Sequence, residues 1–442
     1  MRIEKLLRPS RGFENRPSAR KPAWAALRLS WGLFAAIRRP YGLDAPAGWQ
    51  GPLCARPPSL FSSLVDSEGG RPENKRVQGV LLVLSPPQLL GGEPGSPRRR
   101  EVQKIGLALF ALLAVITVQG CGHLPMRGGT GGVPGGPASA VEGALAVLRP
   151  VYPSGPIALE VLDGTSSWQR NRFGFQVYCD QAGDFRGISG EYYRSLRCKG
   201  AIASPLIAIS PILGGEGEDY LVARFIAREC CRWGFSAYFL YQERSILSPS
   251  RDALGLEARM RRAVRDNISA LDAFSTLDEI DSERMGSFGV SLGAIRNVAF
   301  IAAEPRLRVN VLCLGGLDLG GIIKESREKM VLRYRSTRKE RDGMSAGEVE
   351  VEFQQYFFSN PARLAASISP GEVLLFLAVY DEVVPYTEGL DLRRMLGGPE
   401  AYLLPLGHYT AFVAAPWITS TALEWVSAGL RQLRHPAAAR KK

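Results

Sequence analysis

From residue 141 to residue 442, short runs rich in Val, Ile, Leu and Phe alternate with longer segments of helical period, and that alternation leaves few folds open. Strands that are apolar along their whole length need cover on both faces, which a mostly parallel central sheet flanked by helices supplies. The fold class expected is therefore α/β. The pattern predicts strands at Ile157–Leu162, Phe173–Tyr178, Gly190–Tyr193, Pro205–Pro211, Ala237–Tyr241, Met285–Val290, Val309–Leu314, Val373–Tyr380 and Tyr402–Pro405. Helices are predicted at Glu218–Trp233, Leu254–Phe274, Gly293–Ala303 and Ile418–Leu433. The stretch Gly320–Ser367 is longer than a connection between such units requires and reads as a helical cap, 320–367. Hydrophobic residues make up 45% and charged residues 22% of the chain, which excludes wholesale disorder and a polytopic membrane protein.

The formal charge of +12 is unevenly spread. Residues 1–100 hold 17 Lys+Arg against 7 Asp+Glu, leaving 38 against 36 for the rest, so the folded part is nearly neutral. Thirteen of the 30 prolines also fall in those first hundred residues, without a sustained apolar period. Residues 1–97 are expected to be a disordered leader, or sequence upstream of the true start of translation. A basic arm for nucleic acid is the other reading, but the arginines lie scattered among prolines and form no stripe, so no nucleic-acid partner is expected.

Arg98, Arg99, Arg100 and Lys104 precede the apolar run Ile105–Val118, followed by Gln119, Gly120 and Cys121. Basic residues, a short apolar core, a small residue and then cysteine are the layout of a secretory signal, here 98–120. The core is shorter than the ~20 residues of a spanning helix. An uncleaved anchor helix is the alternative. VQGC resembles a bacterial lipobox, with Gln119 where a small residue is usual. The resemblance implies Cys121 as lipid anchor, a membrane partner and an extracytoplasmic location, on the periplasmic face of the outer membrane if the source is Gram-negative. A signal must be amino-terminal to be read, so this implies translation starting near residues 90–102. The Gly/Pro-rich stretch 121–140 then reads as a flexible tether.

Gly289-Val290-Ser291-Leu292-Gly293 has the form of a nucleophile elbow, a serine on a sharp strand-to-helix turn with glycines two residues to either side. A serine hydroxyl needs a base. The chain has three histidines, of which His123 lies in the tether and His435 beside the basic tail 436–442. His408, after the strand-like AYLLPL, is the expected base. Asp381, ending VLLFLAVY, is the first choice for the acid that orients it; Asp318, in LGGLDLGG, is the runner-up, and Glu382 would point the other way.

The elbow and the order Ser291, Asp381, His408 resemble the α/β-hydrolase superfamily over most of residues 150–435, the domain expected at 141–435. DEVVP at Asp381–Pro385 and LGHY at Leu406–Tyr409 look most like its dienelactone-hydrolase and serine-peptidase-like branches. The resemblance implies an acyl-enzyme serine hydrolase acting on a small-molecule carboxylic ester, with an amidase or peptidase as alternative and a noncatalytic interaction module as a third reading. It also implies an oxyanion hole from the backbone N–H groups of Leu213 and Leu292, although Pro211-Ile212-Leu213-Gly214-Gly215 departs from the usual His-Gly sequence at that loop.

No cofactor is expected: Gly214–Asp219 lacks the Lys and Ser/Thr of a phosphate loop. No metal is expected either, because no cysteine pair has ligand spacing with histidine. Apart from Cys54 and Cys121 the cysteines are Cys179, Cys198, Cys230, Cys231 and Cys313; a Cys179–Cys198 disulfide and buried free thiols are both open. Lys324–Asp342, with eight basic and four acidic residues around Met330, Val331, Leu332 and Tyr334, reads as a charged cap helix, either a solvated face or a lid touching substrate or anionic headgroups.

Overall fold

A computed structural model of the chain describes residues 125–126, 138–146, 148, 153 and 155–434, the last range without 180–183, 198–202, 214–219, 243–246 and 249. The expected leader, signal sequence, Cys121, His123, Cys198, His435 and the basic tail, as well as the Cys179 side chain, lie outside the described residues.

The strands are β1 (Pro125–Met126), β2 (Ala158–Gly164), β3 (Trp168–Cys179), β4 (Asp184–Ser195), β5 (Ser204–Ser210), β6 (Ser236–Leu240), β7 (Ile280–Val290), β8 (Leu307–Cys313), β9 (Val373–Ala378) and β10 (Glu400–Leu404). They form one sheet in the order β1-β10-β9-β8-β7-β5-β6-β4-β3-β2. From β10 to β6 every neighbouring pair is parallel, whereas β4, β3 and β2 continue the sheet antiparallel. The mixed sheet follows from burial. β5 and β9 are buried at every position and must be covered on both faces, while Asn171, Phe173, Phe175 and Val177 of β3 are buried in alternation with half-buried residues. Two parts of the stretch read as a flexible tether depart from that reading: Pro125 and Met126 pair antiparallel with Tyr402 and Ala401 at the sheet edge, and Ala138–Ala140 open a helix that runs to Ala146.

The helices are α1 (Ala138–Ala146), α2 (Leu221–Arg232), α3 (Ala253–Phe274), α4 (Leu292–Ala303), α5 (Leu319–Glu325), α6 (Lys329–Asp342), α7 (Ala346–Tyr356), α8 (Pro361–Leu364), α9 (Tyr386–Met395) and α10 (Ala415–Arg434). Successive residues of β5 face opposite layers. Leu206 and Ala208 join the core made with Leu271 of α3 and Val298 of α4; Ile207 and Ile209 join the one made with Ile226 of α2 and Val426 of α10. α2 shows why such a segment is helical: Val222, Ala223, Ile226, Ala227, Cys230 and Cys231 form one buried stripe at the helical period. Among the described residues no helix is long and apolar enough to cross a membrane. Cys230, Cys231 and Cys313 are buried free thiols.

Between β8 and β9 the chain leaves the sheet for α5 to α8, of which α5, α6 and α7 build a third apolar cluster with Leu256 and Met260 of α3 and Ile295 of α4. Val331, Tyr334 and Arg338 are the buried residues of α6, and Arg338 is held by Asp342 at 2.5 Å and Glu352 at 2.7 Å. The two stems of this excursion are fastened together. Asn360 Nδ2 donates to Asp318 Oδ1 at 2.7 Å, the Leu319 N–H donates to Asn360 Oδ1 at 3.3 Å, and the Ala362 N–H donates to the Leu317 carbonyl at 3.1 Å.

Candidate active site

Ser291 sits between β7 and α4 with φ 55° and ψ −125°, a conformation that costs a non-glycine residue ~1–3 kcal/mol and persists only where its surroundings impose it. The surroundings here are two close approaches. A Cβ on Gly293 would lie 2.1 Å from the Ser210 carbonyl oxygen, and one on Gly289 would lie 2.7 Å from Ala294 Cα. Only glycine lets the turn seat so near β5 and its own helix. The Ser291 N–H also donates to the Cys313 carbonyl at 2.9 Å, tying the elbow to the end of β8.

Beneath the elbow runs a row of buried polar side chains that the sequence reading missed. Ser210 Oγ donates to Asn297 Oδ1 at 3.2 Å, Asn297 Nδ2 donates to Ser287 Oγ at 2.7 Å, and Ser287 Oγ donates to Asn310 Oδ1 at 2.6 Å. The row crosses β5, α4, β7 and β8, and each member is satisfied by the next. Nothing local in the sequence marks it, because its hydrogen-bonded members lie 10, 23 and 87 residues apart on different elements.

The structure brings Ser291, His408 and Asp381 together. All three follow the carboxyl ends of parallel strands, β7, β10 and β9, so the topology delivers them to one rim of the sheet. Ser291 Oγ lies 2.9 Å from His408 Nε2, and His408 Nδ1 lies 2.7 Å from Asp381 Oδ2. Each is at most 8% exposed. The other carboxylate oxygen of Asp381, Oδ1, accepts from the Val383 and Val384 N–H groups, both at 2.9 Å. Asp318 is placed elsewhere: it caps α5, accepting from the Gly320 N–H, Asn360 and Gln354. Glu382 is exposed and paired with Arg327 at 3.0 Å. A hydroxyl facing an imidazole whose far nitrogen meets a buried carboxylate can lose its proton to that imidazole as it attacks an electrophilic carbon.

Ser291 opens onto an apolar cavity of about 60 Å³. Leu213 and Leu292 line it beside the serine, as do Met260 of α3 and Ile322 of α5. As the first residue of α4, Leu292 has no carbonyl four residues back within the helix to accept its N–H. The cavity is roofed by the cap, and one acidic residue lines it, Glu328, just before α6. The Tyr409 hydroxyl donates to Glu328 Oε2, while the Arg327 N–H donates to the Glu382 carbonyl at 2.8 Å. The cap edge is thus fastened to the loops carrying both His408 and Asp381. Partial desolvation of the hydroxyl, followed by the Glu328 bond, raises Tyr409 above its ordinary range, although the residue is 60% exposed. Tyr409 stood next to His408 in the LGHY signal, but its partner lies 81 residues away and had no local mark.

Among solved structures, the chain is similar to acetyl xylan esterase 1 from Thermoanaerobacterium sp. JW/SL YS485, with a TM-score of 0.51 and 17% identity over 68% of this chain and 96% of that one. The chain has an α/β-hydrolase fold. An acetyl xylan esterase from Paenibacillus sp. R4 gives a TM-score of 0.49 and 16% identity, over 65% of this chain and 92% of that one. No family model matches the chain, and no curated protein matches its sequence.

Proposed function

We propose that the protein is a serine hydrolase that cleaves a carboxylic ester with a short acyl group through an acyl-enzyme. The hydrogen-bonded series Ser291, His408, Asp381, with Ser291 lining an apolar cavity, carries this reading. Ser291 Oγ attacks the ester carbonyl while His408 Nε2 takes its proton. The Leu213 and Leu292 N–H groups stabilise the oxyanion, and the protonated imidazole, oriented by Asp381, then gives its proton to the departing alcohol. Water attacks the acyl-Ser291 ester by the reverse proton route, releasing the acid. The cavity beside Ser291 is lined almost wholly by apolar side chains, which suits the uncharged acyl part of an ester. The similar Thermoanaerobacterium protein is an acetyl xylan esterase, and a short acyl group is in keeping with that activity.

The test is turnover of p-nitrophenyl acetate, and of the matching anilide, by the wild type and by Ser291→Ala. The expected result is ester hydrolysis that falls by on the order of 10⁴ in the variant, with a fluorophosphonate label mapping to Ser291. Faster cleavage of the anilide than of the ester would replace the esterase reading by an amidase one. Retained turnover in Ser291→Ala would point to another nucleophile, and a wild type inert to both substrates and to the label would favour the noncatalytic module.

Membrane attachment through Cys121 and an extracytoplasmic location belong to the same proposal and rest on the lipobox-like VQGC. Two or more acyl chains, each worth ~0.8 kcal/mol per buried CH₂, give a firm anchor. Incorporation of labelled palmitate that is lost in Cys121→Ala supports this; equal membrane recovery of the two forms overturns it.

A further inference from the structure

Arg296 lies five residues beyond Ser291 on α4 and is 3% exposed. An arginine at such depth ordinarily has a carboxylate against it. Here its Nη1 donates instead to Gln242 Oε1 at 3.4 Å, and its Nε has no hydrogen-bond partner among the described residues. Burial lowers the guanidinium pKa to about 10, which leaves it charged at neutral pH.

Gln242 stands just beyond β6 and is held at both main chain and side chain. Its N–H donates to the Tyr220 hydroxyl at 2.6 Å, and its Nε2 donates to the Ile212 carbonyl at 3.2 Å. The orientation of the amide follows from chemistry. A guanidinium only donates and a carbonyl only accepts, so the Gln242 oxygen must face Arg296 and its nitrogen must face Ile212.

The Ile212 carbonyl belongs to the same peptide unit as the Leu213 N–H. That unit is planar, with the two groups pointing opposite ways. A bond that holds the carbonyl therefore also sets where the N–H is aimed. Leu213 lines the cavity beside Ser291, and 211–213 is a loop with no strand partner to fix this plane.

We propose that Gln242 is a positioning residue for the oxyanion donor Leu213, and that Arg296 acts through Gln242 by fixing which way its amide faces. The inference rests on the hydrolase reading above and deepens it. It assigns a function to a buried cation that has no place in proton transfer.

The experiment compares Gln242→Glu, Gln242→Met and Arg296→Lys with the wild type. Gln242→Glu keeps shape and the contact with Arg296 but sets an acceptor against the Ile212 carbonyl; Gln242→Met removes both bonds. Active sites are counted by the end point of fluorophosphonate labelling, so that kcat/KM for p-nitrophenyl acetate is expressed per competent site. Affinity for phenylboronic acid is measured alongside. It adds to the serine oxygen and places a boron-bound oxygen where the oxyanion would sit. The full removal of one oxyanion donor costs ~10²–10³-fold. A donor left in place but misaimed is expected to cost less, about 10- to 100-fold in kcat/KM for both Gln242 variants. Boronate affinity should fall by a matching factor while KM moves far less, and Arg296→Lys should show a smaller loss of the same kind.

Per-site turnover and boronate affinity within about twofold of wild type in both Gln242 variants would overturn the inference. So would a loss confined to melting temperature and the number of labelled sites, which is the signature of a merely structural residue. A wild type without esterase activity, or an active Ser291→Ala, would sink the hydrolase reading itself and is distinguishable from either result.

Discussion

His408 Nδ1 and Asp381 Oδ2 are 2.7 Å apart, while the second oxygen of the same carboxylate is already engaged by the Val383 and Val384 N–H groups. This division of labour predicts the effect of Asp381→Asn. The single amide oxygen is required by the two backbone donors, so the amide nitrogen must face Nδ1. His408 then carries its proton on Nε2, where it cannot accept from Ser291. The expected outcome is a fall in kcat of ~10⁴ with little change in melting temperature. Turnover within tenfold of wild type, about 1.4 kcal/mol of barrier, would deny the carboxylate its orienting role.

Ser291 carries backbone strain that glycine would release. The release is worth ~1–3 kcal/mol, against ~0.5–1 kcal/mol for the extra freedom of glycine in the unfolded chain. The larger effect wins, so Ser291→Gly should melt higher than Ser291→Ala although neither turns over substrate. Equal or reversed melting temperatures by calorimetry would mean that the elbow is unstrained.

Glu388 on α9 accepts from the Asp318 N–H at 2.8 Å, and burial raises its pKa to about 7, with nearby carboxylates including Asp318 adding to the shift. An acid whose folded pKa exceeds its unfolded value binds more protons when folded. Its contribution is fully present below about pH 4.5 and is lost as the pH rises through about 7. Glu388→Gln keeps an oxygen for the Asp318 N–H and cannot ionise. Between those two pH values, stability of the wild type should decline relative to the variant; parallel melting curves across the window would exclude the effect.

Met260 lines the cavity from α3 and is 2% exposed. Met260→Ala should cost ~2–5 kcal/mol of stability through the space it leaves. The same space should raise kcat/KM for a butanoate ester relative to the acetate. An unchanged ratio would place the acyl group elsewhere.

Much of the parallel half of the sheet was legible because Leu206–Ile209 of β5 and the whole of β9 are apolar at successive positions, and Val309, Val311 and Leu312 mark β8; the start of β7 was hidden by its polar stretch Asp281–Arg284. The antiparallel half was read too short. β3 and β4 each run twelve residues, but the polar stretch Gln169–Arg172 hid the start of β3, and Arg186 and Gly187 hid the start of β4. α9 was missed because Pro385 and Gly389 masked a helix of ten residues. At the site, Ser291, Asp381 and His408 could be singled out since each ends a strand, which is a local property. Gln242, Arg296, Glu328 and the row from Ser210 to Asn310 owe their places to contacts between distant segments, and no window of sequence carries that information.

The clasp joining Leu317 and Asp318 to Asn360 and Ala362 has a consequence for how such a molecule can change. An excursion shut at its own base reaches the rim through few other points, chiefly the corner at Arg327 and Glu328 that meets the loops of Asp381 and His408. Whatever hangs between the two stems beyond that corner can be lengthened, trimmed or exchanged while the three side chains at the rim keep their spacing. Diversification of the compounds admitted and conservation of the chemistry performed are thus assigned to separate stretches of one polypeptide.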